Sequence, residues 1–158
     1  MKLKFTASAV IAAALTLTAC ATSPTGRNQV LLYSETQLAQ MGDQAFTGMK
    51  EELKISNKAV QNTYVECVAN AITAQVPASV FDGQWEVVVF DDEQVNAFAL
   101  PGGKIGVYTG LLNVAENQHQ LAAVIGHEVG HVIAEHGNER MSQSTLINMG
   151  SQAVGQVL

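Results

Sequence analysis

Positive charge is scarce in this chain. Eight Lys and Arg stand against fourteen Asp and Glu over 158 residues, a formal net charge of −6. Such a balance argues against nucleic acid and against anionic lipid surfaces as partners, because both demand clustered cations. Cysteine is scarcer still, with two in all, Cys20 and Cys67. No apolar run is long enough to cross a bilayer: the longest, Phe5 to Ala19, falls short of the roughly 20 residues a spanning helix needs. No internal repeat is visible, which excludes a solenoid or propeller.

The amino terminus reads as a processed leader. Met1-Lys2-Leu3-Lys4 is a short basic start, followed by the apolar stretch and by Leu17-Thr18-Ala19-Cys20. That ending resembles the lipobox of bacterial lipoproteins, in which cleavage precedes a cysteine that is then acylated. The expectation is a signal peptide over 1–19, lipidation at Cys20, and a turn-rich tether over 20–29. Ala21 after the cysteine points, by the sorting rule of Gram-negative bacteria, to the periplasmic face of the outer membrane. Without residues 1–19 the chain keeps six basic and fourteen acidic residues, a net of −8. Acyl chains, not charge, would then hold it at a membrane. Cys67 would be the one remaining thiol, so no intrachain disulfide could form. It follows Val60 and Tyr64 at helical spacing, as a small core residue would.

The 139 residues left after 1–19 suffice for one domain with a core, with the metallopeptidase part expected over 30–158. Ser34-Glu35-Thr36-Gln37 fits a capping box, and Leu38, Met41, Ala45 and Met49 follow at helical spacing. A second helix is expected over 57–76, stopped by Pro77. Gln84 to Phe90, Val95 to Leu100 and Lys104 to Tyr108 read as strands, the last two joined by a Pro101-Gly102-Gly103 turn. Thr109 suits the cap of a short helix through Val114. Asn117 and Gln120 suit the start of the next helix and Gly137 its end. From Asn138 the chain is helical again, with Leu146, Met149, Ala153 and Val157 on one side. It stops at Gln156-Val157-Leu158 with no cap and that face uncovered, the pattern expected of a domain cut short.

The chemistry concentrates in His127-Glu128-Val129-Gly130-His131, a His-Glu-x-x-His motif within the apolar stretch Leu121 to Ala134. Apolar residues lie nearly all round this helix, so it is expected to be buried. On a helix, His127 and His131 stand one above the other, about 40° apart around the axis, with Glu128 about 100° from His127. Two neutral imidazoles at that spacing can bind one zinc ion. Zinc brings a bound water's pKa near 7, and Glu128 can take its proton as it attacks a polarised carbonyl. A five-residue pattern with three fixed positions also arises by chance, mostly on exposed helices. Two imidazoles and a carboxylate buried without partners would, however, cost several kcal/mol, which a metal would relieve.

Three stretches together resemble a known group: Val95 to Gly103, Val107-Tyr108-Thr109-Gly110-Leu111-Leu112, and Leu121 to Gly137. They are similar to the lipoprotein branch of the HtpX and CAAX-prenyl-protease-like zinc metalloendopeptidases, in the gluzincin clan. The resemblance implies His127 and His131 as ligands of one zinc, Glu128 as general base, and Asn96 and Ala97 on an edge strand that holds an extended substrate. It implies a zincin-like α+β fold: two N-terminal helices, a small mixed or antiparallel sheet and the buried motif helix. It also implies a third zinc ligand, a later Glu in a Glu-x-x-x-Asp setting, which this sequence does not contain. Glu135 lies on the same helix as the histidines and would close poorly around a tetrahedral ion. His136 is expected as a second-sphere residue or one at a helix C-terminus. The expected partners are protein substrates, unfolded or damaged proteins of the envelope, and a membrane reached through the lipid anchor. Two other readings stay open: a non-catalytic lipoprotein that binds unfolded clients through the edge strand, and a structural envelope lipoprotein in which the motif is accidental.

Overall fold

The computed structural model describes residues 20–24 and 26–155; the expected signal peptide over 1–19 lies outside them, as does Val157. The chain divides into two compact units, one of Glu35–Ile133 and the other joining residues 20–34 to 134–155.

The larger unit is α+β. Two helices, α1 (Glu35–Glu52) and α2 (Ala59–Thr73), precede three strands, β3 (Glu86–Phe90), β4 (Ala97–Leu100) and β5 (Lys104–Tyr108). A short helix, α3 (Thr109–Leu112), and the motif helix, α4 (Gln118–Ile133), complete it. The sheet is mixed, in the order β3-β5-β4. β3 runs parallel to β5, and β4 antiparallel to it with Ala97 opposite Val107 and Leu100 opposite Lys104. Beyond β3 the chain at Lys54–Ser56 lies alongside as an isolated bridge: Ser56 N donates to the Val89 carbonyl and Asp91 N to that of Lys54. The C-terminal end of that edge is thereby covered. The other edge, β4, has no strand beside it among the described residues.

Both faces of the sheet carry core. On one, Val89, Ala97, Ile105 and Val107 pack with Val65, Val68 and Ala69 of α2 and with Leu121, Ile125 and Val129 of α4. On the other, Phe46 of α1 meets Phe90 and Tyr108, with Phe98 against them. Phe46 stands edge-on to Phe90 and to Phe98, at centroid distances of 6.2 Å in both cases, the arrangement aromatic quadrupoles favour.

The periodicities select the helices but not always the right face. On α1 the buried residues are Leu38, Gly42 and Phe46, one position round from the expected line, and Met41 and Ala45 are exposed. On α2 the buried line is Val65, Val68 and Ala69, so Val60, Tyr64 and Cys67 point to solvent; Cys67 is not a core residue. Apolar residues at helical spacing lie on both sides of α2, and the side that reaches the sheet is the one that is dry. Thr109 does not cap α3. Its hydroxyl donates to the Asp92 carbonyl (2.9 Å) and accepts from Asp92 N (3.1 Å), tying the loop before β4 to α3. Asn117 does cap α4: its Oδ1 accepts from His119 N and Gln120 N, while Gln120 Oε1 accepts from Glu116 N.

In the smaller unit, the stretch whose composition suggests a tether forms an antiparallel hairpin of β1 (Cys20–Thr22) and β2 (Asn28–Val30). It packs on α5 (His136–Gly155) through polar contacts. Arg27 donates two hydrogen bonds to Glu139, at 2.5 and 2.6 Å; Gln29 Nε2 donates to the Ala134 carbonyl and to Glu139 Oε2. Asn138 is bonded in both directions with the backbone of Tyr33, and the buried Ser142 hydroxyl accepts from Leu32 N. Glu135, not Gly137, holds the left-handed conformation that separates α4 from α5, with φ 52°. His136 therefore opens α5, not the C-terminal end of a helix. Leu146, Ile147 and Met149 are exposed on α5.

Two outcomes follow. Phe46→Ala removes a fully buried ring and is expected to cost about 3–5 kcal/mol, read from the urea midpoint at unchanged slope. The Arg27 guanidinium holds the Glu139 carboxyl down to about 2, from an ordinary 4.5. Its folded value is depressed, so its contribution to stability is present above pH 4.5 and lost as the pH falls through about 2. Thermal unfolding measured from pH 6 to pH 2 is expected to show a shallower acid decline for Glu139→Gln than for the parent.

Candidate metal centre

Helix α4 is divided along its length. Leu121, Ile125 and Val129, spaced by four, are buried against the sheet. At about 100° per residue, His127 and His131 lie roughly 140° from the middle of that line, and Glu128 about 60° from it. His127 is accordingly exposed, while Glu128 and His131 are half-buried. The composition suggests a helix buried all round, but this one is not, so the cost of burying the imidazoles is not what argues for a metal.

Convergence is. The two Nε2 atoms lie 3.1 Å apart, with ring centroids 4.5 Å apart and planes at 77°. Tetrahedral zinc with Zn–N distances of about 2.0–2.1 Å places two nitrogens roughly 3.3 Å from each other. The pair as it stands is within a few tenths of an ångström of that spacing. One ligand atom from each of His127, Glu128 and His131 falls within 4.8 Å of the others, the one such grouping of three among the described residues. Two imidazole nitrogens converging in this way suit zinc, and the Glu128 carboxylate stands beside them.

Asn96 and Ala97 stand where the chain enters β4. Tyr108 N donates to the Asn96 carbonyl at 3.1 Å, so the backbone of Asn96 faces β5. In an antiparallel ladder the facing residues alternate, which turns the N–H and C=O of Ala97 and Ala99 outward along the open edge. The side chain of Ala97 is buried and Asn96 is exposed. Ala97 and Ala99 belong to the core shared with α4, and such small side chains let the motif helix approach the edge strand closely.

A signature for Peptidase family M48 matches residues 57–158, which include the sheet, its open edge and the motif helix. The chain belongs to Peptidase family M48. This is a family of gluzincin metalloproteases. The chain is 37% identical over 114 residues to the mitochondrial metalloendopeptidase OMA1 of Arabidopsis thaliana, covering 70% of this chain and 23% of that protein. To the mitochondrial metalloendopeptidase OMA1 of Bos taurus it is 30% identical over 135 residues, covering 78% and 25%. To the beta-barrel assembly-enhancing protease of Escherichia coli it is 25% identical over 100 residues, covering 63% and 20%. The chain thus spans about a quarter of the length of the curated relatives it matches. These likenesses overturn the localisation expected from the leader, a lipid anchor on the periplasmic face of a bacterial outer membrane: the plant and cattle relatives are mitochondrial proteins. Cys20, on which that expectation rested, opens β1, its backbone paired with Val30.

Zinc titration of the metal-free protein is expected to give one ion per chain. His127→Ala and His131→Ala should each weaken it by at least about 100-fold, since each removes one of few ligands. Calorimetry or a competing chromophoric chelator reads the change.

Proposed function

We propose that this chain carries the zinc-binding core of a metalloendopeptidase that hydrolyses peptide bonds in extended protein segments. The observation that carries the reading is the 3.1 Å approach of the two imidazole nitrogens with the Glu128 carboxylate beside them. His127 and His131 hold the ion through Nε2. When bound, zinc supplies Lewis acidity, lowering the pKa of a water and polarising the scissile carbonyl. Glu128, one residue along the helix from His127, takes the proton of the attacking water and returns it to the leaving amine.

The open edge of β4 supports the same reading. Backbone groups of Ala97 and Ala99 that no neighbouring strand uses can pair with a substrate laid alongside as a further strand, and the exposed side chain of Asn96 lies at one end of that row. Recognition of this kind reads the backbone and requires an extended chain, so unfolded segments are the substrate class. Membership of M48 and the likeness to metalloendopeptidases agree with it. The edge strand also favours a second reading, capture of an unfolded segment without cleavage; binding of such a segment would then survive removal of the metal.

Glu128→Gln in the complete protein is expected to keep one zinc and to lose at least about 100-fold in the rate of casein cleavage, the scale of general-base catalysis. Cleavage at the parent rate in this variant would remove Glu128 from its role. Casein binding by the parent that is untouched by chelation, with no cleavage when zinc is restored, would favour the second reading.

A further inference from the structure

Helix α1 contains two glycines in its interior, and glycine there costs about 0.5–1 kcal/mol relative to alanine. At Gly48 nothing lies within 4 Å of where a Cβ would stand. At Gly42 the position is already taken: a Cβ would run into the carbonyl oxygen of Pro101, with the Pro101 carbonyl carbon at 3.2 Å and Leu100 Cβ at 3.5 Å. The obstruction is backbone and cannot swing aside. The next residue repeats the approach from the other side. Gly102, at φ 81°, lies over Ala39, whose carbonyl oxygen and Cα would be 3.1 and 3.2 Å from an added Cβ. One turn of α1 is thus in backbone contact with the turn that ends β4.

Charge secures the same place. Lys104, the first residue of β5, reaches Asp43 at 3.0 Å and Glu86 at 2.9 Å, and Lys50 reaches Glu86 at 2.5 Å. Hydrogen bonds from Lys50 and Lys104 hold the Glu86 carboxyl below its ordinary range, and Glu86 in turn holds the Lys104 ammonium above its own. These pairs are partly exposed and each contributes little alone, but together they tie α1 to both neighbouring strands. β4 is therefore held by α1 at its turn and packed through Ala97 and Ala99 against the core of α4.

We infer that Gly42 is a positioning residue of the peptidase site: it allows α1 to seat the Pro101–Gly102 turn, and so sets edge strand β4 relative to the helix that carries His127, Glu128 and His131. This rests on the reading of β4 as the substrate strand. A methyl group at position 42 forces the turn away from α1, and a strand of four residues has little length over which to absorb the shift. Misplacement of a substrate strand by about 1 Å costs on the order of 100-fold in efficiency.

The test compares Gly42→Ala with Gly48→Ala in the zinc-loaded complete protein, using an unfolded casein peptide. Kinetics and zinc content are measured alongside amide hydrogen exchange over residues 97–108. Gly48→Ala is expected to keep parental KM, kcat and exchange. Gly42→Ala is expected to keep one zinc, to raise KM by about 10-fold or more with a smaller effect on kcat, and to speed exchange in 97–108 but not in α4. Parental KM and exchange in Gly42→Ala overturn the inference. Should Gly42→Ala not fold, Lys104→Gln releases the same turn from Asp43 and Glu86 without a backbone clash. A raised KM with faster exchange then supports the inference, and parental values overturn it. If the parent and Gly48→Ala bind zinc but cleave nothing, the endopeptidase reading fails, while exchange in 97–108 still decides whether Gly42 seats the strand.

Discussion

The burial of Leu121, Ile125 and Val129 is the constraint from which the metal centre follows. Each side chain contributes roughly 1.5–3 kcal/mol by leaving water, and together they fix the rotation of α4 about its own axis. With that rotation set, the helical period leaves His127 and His131 on the far side, one turn apart. Turning the helix so that Val124 faced the core would wet the apolar line and press Glu128 and the His131 imidazole inward, at a cost of several kcal/mol. The candidate site is therefore preorganised by hydrophobic burial: the core holds His127 and His131 in place although neither is deeply buried.

The two edges of the sheet differ. The bridge at Lys54–Ser56 covers the end of β3, where an exposed edge would invite wrong pairing. β4 keeps its outward backbone groups, and its Ala97 and Ala99 side chains take little room between it and α4. A second aromatic core, built on Phe46, Phe90 and Tyr108, supports the sheet from the opposite face. The edge strand is thus stiffened on both faces while its hydrogen-bonding row stays open, as preorganised recognition of an extended chain requires.

Much of this was legible in the residues. The three strands of the larger sheet are legible to within two residues because β-branched and aromatic runs bounded by Gly and Pro have few other uses. Asn117 was identifiable as a cap because its side chain serves a local need. Faces were harder to read. Met41, Tyr64 and Cys67 fit helical periods that the tertiary packing does not use, and Gly42 carries no hydrophobic signal although it lies on the buried line of α1. Propensity favours Gly137 as the C-terminal cap of α4, whereas the turn falls at Glu135, with the Ala134 carbonyl held by Gln29. The hairpin over 20–30 escaped notice because its anchors, Arg27 to Glu139 and Gln29 to Ala134, join residues more than 100 positions apart. The motif was the clearest signal, and its near-tetrahedral spacing is what the structure adds.

The most direct test of the central claim is X-ray absorption at the zinc edge on the zinc-loaded protein. Two imidazole nitrogens at about 2.0–2.1 Å are predicted, and that scattering should disappear in the His127→Ala, His131→Ala double variant. A zinc shell without imidazole in the parent, or one unchanged in the double variant, would contradict the account.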